Sequence, residues 1–144
     1  MIDKKEKKVS IITGRSKGIG YACAKKLAKE RFNIAILSKF SLTVIERLSY
    51  CIARSGIDAL TRSLDLAWSK YNIICNYINP GPINTPMTKK WPKKIKQNLI
   101  MKFKIKRKSL GSAHDVSNAC LFLASDNSNY IQGSEQNIND GLVI

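Results

Sequence analysis

Thr13-Gly14-Arg15-Ser16-Lys17-Gly18-Ile19-Gly20 decides how this chain is read. It follows the apolar, β-rich run Val9-Ser10-Ile11-Ile12 and opens into Tyr21-Ala22-Cys23-Ala24-Lys25-Lys26-Leu27-Ala28, which has helical period. A strand, a glycine-rich turn and a helix in that order aim backbone N–H groups and the positive end of a helix dipole at one point, where a pyrophosphate can sit. The pattern predicts a dinucleotide ligand. Its spacing is G-x-x-x-G-x-G rather than the commoner G-x-G-x-x-G, and an ordinary strand-to-helix turn would use the same residues.

Working outward, Asn33-Ile34-Ala35-Ile36-Leu37-Ser38 reads as a second strand, parallel to the first and joined to it by the helix around Tyr21 to Glu30. In a dinucleotide fold the residue ending this strand faces the adenosine ribose, where an acidic side chain suits a 2′-hydroxyl and a basic one a 2′-phosphate. Lys39 stands there, and Lys17 precedes Gly18. The two cations favour NADP(H) over NAD(H), although surface lysines would look the same. Ser41 to Leu48 is helix-like and runs into a second helical stretch from Ser49 to Ala67. Ile73 to Ile78 reads as a third strand, Asp115 to Asp126 as an amphipathic helix, and Gln136 to Leu142 as a final strand.

The nucleotide turn resembles that of the short-chain dehydrogenase/reductase family, which reads T-G-x-x-x-G-x-G. Three further stretches carry the likeness in the right order. Tyr50-Cys51-Ile52-Ala53-Arg54, with the small-residue continuation to Ala67, resembles the helix bearing the family's Y-x-x-x-K. Pro80-Gly81-Pro82-Ile83-Asn84-Thr85 matches P-G-x-I-x-T, and the tail through Gly133 to Gly141 resembles the family's last strand, with Asp140 where a glycine usually stands. Within the family the tail is most similar to 3-oxoacyl-carrier-protein reductases.

The resemblance implies an α/β fold: a Rossmann-like parallel sheet with flanking helices, truncated by loss of the central strands, in a single domain over residues 1–144. It implies an oxidoreductase that moves hydride between nicotinamide and a carbonyl or alcohol, a 3-oxoacyl group being one such substrate. Gly14, Ser16, Lys17, Gly18, Ile19 and Gly20 would cradle the nucleotide, with Lys39 at its 2′-phosphate. Pro80, Gly81, Ile83 and Thr85 would lie on the nicotinamide side. Tyr50 would exchange the proton, with Arg54 in the place of the lysine one helical turn on; that change keeps the charge but replaces a compact ammonium with a planar fork. Only ten residues separate Lys39 from Tyr50, where the family holds its third to fifth strands, an N-A-G loop and a serine. Neither Ser38 nor Ser41 is assigned the serine's role. The retained halves must then close up, first strand against sixth, or be completed by another chain. A catalytically inactive nucleotide-binding remnant, or an interaction protein, is the alternative from another class.

Composition sets the remaining bounds. The chain has 144 residues, 44% of them hydrophobic, enough for one core. No apolar run is long enough to span a membrane, and the charged start Met1 to Lys8 leads straight into a strand, so a cytoplasmic location is expected. Cys23, Cys51, Cys75 and Cys120 are widely spaced and His114 is the one histidine; neither a metal site nor a disulfide framework is expected, and the cysteines read as small buried residues. His114 reads as a surface or capping residue. The formal charge is +15, and Lys89 to Lys108 holds ten basic residues and no acidic one. A solvated helix face, with most of Trp91, Ile95, Leu99, Ile100, Phe103 and Ile105 fitting an inner stripe, accounts for this stretch. A docking surface for an acidic carrier protein, or for cofactor phosphates, is the functional reading; nucleic acid is disfavoured for want of a recognised module. A homo-oligomer is open. The expected core is Val9, Ile11, Ile12, Leu27, Ile34, Ile36, Leu60, Leu64, Ile74, Ile78, Leu121 and Leu123.

Overall fold

The apolar, β-rich run from Val9 does form a strand, β1 (Val9–Thr13), and it lies parallel to β2 (Asn33–Leu37), with Val9 opposite Asn33 and Thr13 opposite Leu37. Parallel neighbours need a crossover, and α1 (Ile19–Lys29) supplies it. Cys23, Ala24 and Leu27 fall on one stripe of α1 and are buried, while Lys26 and Lys29 sit in its last turn, where the dipole favours cations. The structure is a computed structural model that describes residues 8–13, 18–37, 47–102, 105 and 107–141.

The second half repeats the scheme. The long helix α2 (Arg47–Trp68) leads to β3 (Tyr77–Pro80), the two-residue β4 (Ile83–Asn84), and two helices, α3 (Pro86–Lys89) and α4 (Lys93–Lys102). Next come β5 (Gly111–Ser112), α5 (Ala113–Ala124) and β6 (Glu135–Ile138). β3 pairs in parallel with β6, and β4 with β5. Ser112 and Asp115 form a reciprocal capping box that starts α5. The fold is thus mixed α/β with parallel strands and flanking helices.

Each strand pair forms a sheet of its own. Among the described residues no ladder joins β1 to β3, so the closing of first strand on sixth is not seen. Helices make the junction instead. α1 packs along α5, and Cys23 and Val116 join Ile83 in a buried cluster that Ile12 of β1 and Ile78 of β3 both reach. Lys8, just before β1, pairs with Asp126 after α5.

This arrangement corrects part of the expected core. Leu27 is buried, and Ile12 and Ile78 pack against the central cluster. Val9 and Ile11, however, are 68% and 65% exposed, because β1 is covered by α1 on one face and alternate residues point to the other. Leu60 and Ile74 are exposed as well. The third strand starts four residues later than expected, at Tyr77, and leaves Ile73 and Ile74 outside it. The basic stretch is not one helix with a buried stripe: it breaks between Lys89 and Lys93 around Pro92, leaving Ile95 exposed, while Ile105 beyond the helix is buried. Among the described residues no helix is long and apolar enough to cross a membrane.

Two leucines from the expected core should therefore behave differently. Leu27→Ala should cost about 2–5 kcal/mol, as for other buried leucines. Leu60→Ala, at an exposed position, should change stability by less than about 0.5 kcal/mol. Urea denaturation of both variants checks the pair; equal losses would mean the outer face of α2 is covered.

Candidate functional site

The residues expected to serve one nucleotide come from two distant stretches, and the described ones meet at Gly18. This glycine is the N-cap of α1, with φ of 72°, a left-handed backbone that suits a residue without Cβ. A Cβ placed there would stand 3.5 Å from the Cβ and Cγ2 of Thr85. The turn that starts α1 and the loop that ends at Thr85 therefore lie side by side, with about the room of one methyl group between them. No side chain among the described residues caps α1, and its first turn holds no acid, so the positive end of its dipole is not neutralised locally. Ile19 and Gly20 form its first turn, Ile19 packing against the central cluster. A glycine-lined approach to an uncapped helix N-terminus fits a dinucleotide phosphate. Gly14, Ser16, Lys17 and Lys39 lie outside the described residues.

The loop after β3 is built for close approach. A Cβ on Gly81 would lie 2.8 Å from the Cα and Cβ of Asn139, a clash that only glycine avoids, and the Gly81 N–H donates to the Ile138 carbonyl at 3.0 Å. Pro80 ends β3 and Ile83 is buried in the core. Thr85 caps α3: its N–H donates to the Thr88 hydroxyl at 2.8 Å, and Thr88 donates that hydroxyl to the Ile83 carbonyl at the same distance. Ile83 and Thr88 thus fix the end of this loop, where Thr85 lies beside Gly18.

Tyr50 lies in the first turn of α2 and Arg54 one turn later, on the same helix face. Their side chains lie outside what the structure describes. What is described is how the helix is fixed. Asp65, in its C-terminal half, accepts a hydrogen bond from the Cys75 N–H at 3.2 Å, and the Gly133 N–H donates to the Cys75 carbonyl at 2.8 Å. Asn76 next door donates to the Ile131 carbonyl at 2.7 Å and accepts from the Ser134 N–H at 3.0 Å. α2 is therefore anchored on the strand pair β3–β6 and the turn before β6. Sequence reading missed Asp65 and Asn76 in this role; the polar residues ending a leucine-rich helix and opening a strand were the available signal.

A family model described as enoyl-(acyl carrier protein) reductase matches residues 38–143. The chain belongs to the short-chain dehydrogenase/reductase family. It is 35% identical over 98 residues to the (3R)-3-hydroxyacyl-CoA dehydrogenase of Canis lupus familiaris, an overlap of 68% of this chain and 37% of that protein. It is 34% identical over 96 residues to the 3-oxoacyl-[acyl-carrier-protein] reductase of Thermotoga maritima, covering 67% and 38%. The chain therefore spans less than two-fifths of the length of these curated relatives. The crystal structure of YwfH, an NADPH-dependent reductase involved in bacilysin biosynthesis, shares the fold with a TM-score of 0.71 and 15% identity, over 96% of this chain and 99% of that one.

One departure from the family pattern has a visible consequence. Asp140, in the place of a family glycine, has φ of 58°. Its carboxylate accepts the Arg107 N–H at 2.6 Å and pairs with the Arg107 guanidinium at 3.3 Å. These two residues line a cavity of about 340 Å³ that also takes in Gly81, Ile83, Ile105 and Asp115. Asp115 accepts from the Ser112 N–H at 2.8 Å and the Ser112 hydroxyl at 2.7 Å, which holds its carboxyl below the ordinary 3.8. Both carboxylates are thus engaged within the protein. His114, in the first turn of α5, is exposed, while Ser112 does the capping.

A carboxyl whose pKa is depressed by folding adds stability above its unfolded value and loses it as pH falls through the folded one. The Asp115 contribution should therefore be complete above about pH 4 and fade below it. Thermal melts should show Asp115→Asn less stable than wild type at neutral pH, with the gap narrowing as pH falls toward about 2. A gap independent of pH would show that the carboxylate charge is not what Ser112 holds.

Proposed function

We propose that this chain is an NADP(H)-dependent oxidoreductase of the short-chain type, acting on a carbonyl or alcohol, with a 3-oxoacyl group as the first substrate class to test. The observation that carries the reading is the meeting of Gly18, at the uncapped start of α1, with Thr85 of the P-G-x-I-x-T loop. The NADPH-dependent neighbour and the carrier-protein reductase among the relatives support the choice of cofactor and substrate.

In this reading Gly18, Ile19 and Gly20 hold the phosphates, with Gly14, Ser16 and Lys17 completing the cradle, and Lys39 answers the 2′-phosphate. Pro80, Gly81, Ile83 and Thr85 shape the nicotinamide side. The nicotinamide, when bound, supplies or accepts the hydride. Tyr50 gives its hydroxyl proton to the carbonyl oxygen in reduction and takes it back in oxidation. Arg54, one turn away, keeps the positive charge that the family lysine supplies beside the tyrosine. The longer guanidinium cannot reproduce an ammonium's position, so a slow reaction is expected. An acidic carrier protein docking on the exposed lysines of α3 and α4, a cytoplasmic location and a homo-oligomer belong to the same proposal.

The second reading is a nucleotide-binding remnant without turnover. Arg54 at the lysine position and the short span relative to the relatives favour it.

Fluorescence titration with NADPH and NADH separates these readings when followed by an assay of NADPH oxidation on a 3-oxoacyl thioester. The proposal expects saturable NADPH binding, tighter than NADH, and measurable oxidation. Gly18→Ala should weaken NADPH binding by roughly tenfold, because an L side chain is strained at a left-handed backbone. Gly56→Ala, in an open stretch of α2 with nothing within 4 Å, should not. Arg54→Lys should raise turnover by about tenfold or more. Binding without turnover in either form would establish the remnant, and lack of binding would end both readings.

A further inference from the structure

Cys23 and Cys120 are far apart in sequence and adjacent in the fold. Cys23 lies on the buried stripe of α1, 5% exposed, in the cluster with Ile83 and Val116. Cys120 comes from α5, packs against that cluster and keeps partial access to solvent. Both are free thiols at the interface where α1 runs along α5. They also interact with each other. Their closeness, with burial, pushes the Cys23 thiol up, and the same closeness holds the Cys120 thiol below its ordinary value. Cys75 is placed differently, beside Asp65, and burial and that carboxylate raise its thiol.

We propose that Cys23 and Cys120 are an oxidisable dithiol that closes to a disulfide on reaction with a low-molecular-weight disulfide, clamping α1 to α5. The Cys120 thiolate, the more accessible of the two, attacks one sulfur of the external disulfide. That S–S bond breaks, a mixed disulfide forms at Cys120, and one external thiolate leaves and takes a proton from water. Cys23 then gives its proton to solvent and its sulfur attacks the Cys120 sulfur, releasing the second external thiolate. Two protein thiols are oxidised and one external disulfide is reduced to two thiols. The bridge ties the helix that follows the nucleotide turn to the helix that carries β3–β6, covalently joining two strand pairs that share no ladder. A loop of roughly a hundred residues is closed, the range in which cross-linking restricts the unfolded chain most.

The test uses the full chain, reduced, freed of reductant and incubated with oxidised glutathione. Thiols counted in denaturant should fall from four to two, no glutathione should remain attached, and non-reducing peptide mapping should join the Cys23 peptide to the Cys120 peptide. The thermal midpoint should rise by about 5–10 °C and return on adding dithiothreitol. Cys23→Ser should trap a lasting glutathione adduct on Cys120, whereas Cys120→Ser should leave Cys23 unmodified. Circular dichroism checks that both variants fold, and the wild-type peptide map stands without them if either does not. A lasting adduct on wild-type Cys120, an unchanged thiol count, or linkage through Cys51 or Cys75 would overturn the pair. A bridge that forms but lowers the midpoint would overturn the clamp.

Discussion

The packing of α1 against α5 is the contact on which this molecule depends. In an open α/β sheet the halves are normally continuous through hydrogen-bonded strands, so a fault in one helix contact is shared with the ladder. Here β1–β2 and β3–β6 are separate ladders, and side chains must carry the load between them. The residues that do so are few: among the described residues, the buried apolar set is Cys23, Ala24, Leu27, Ile83, Ile105 and Val116. Dispersion and burial at this junction are non-directional, so they hold the halves together more firmly than they fix their angle. The polar contacts add direction. Lys8 with Asp126 is such a contact, while Gly18 beside the Cβ and Cγ2 of Thr85 adds a close apolar approach between the halves.

Much of this was legible in the sequence, for reasons that can be named. Elements whose periodicity is local were found: β1, α1, β2 and α5 fall within two residues of their expected places. The nearness of Gly18 to Thr85 accords with the resemblance, which assigns both motifs to one nucleotide. Val9 and Ile11 were misread because an apolar, β-rich run marks a strand without saying which of its two faces is covered. Ile74 was placed in a strand that begins only at Tyr77, since an apolar run bounded by polar residues does not fix its own ladder. Asp65 and Asn76 escaped notice because their partners lie across the fold, and nothing local marks a side chain that will bond a backbone group on another element. Cys23 and Cys120 look like small apolar residues in sequence and become a pair only when their helices pack.

Two anchors would determine where the proposed chemistry occurs. α2, which bears Tyr50 and Arg54, is fixed to the β3–β6 half through Asp65 and the Cys75 N–H. The start of α1, next to the turn proposed to hold the phosphates, is fixed through α5 and through Thr85. The distance between a proton carrier on the first anchor and a nucleotide on the second is therefore set by the junction between them, and no described strand ladder enforces it. Hydride and proton transfer are sensitive to sub-ångström placement, while secondary structure is not. On the proposed reading, loosening α1 from α5 would thus spoil the relation between the helix bearing Tyr50 and the start of α1 well before it melted any helix or strand. In a chain of this build, the apolar junction between two helices is as much part of the site as the glycines of the turn.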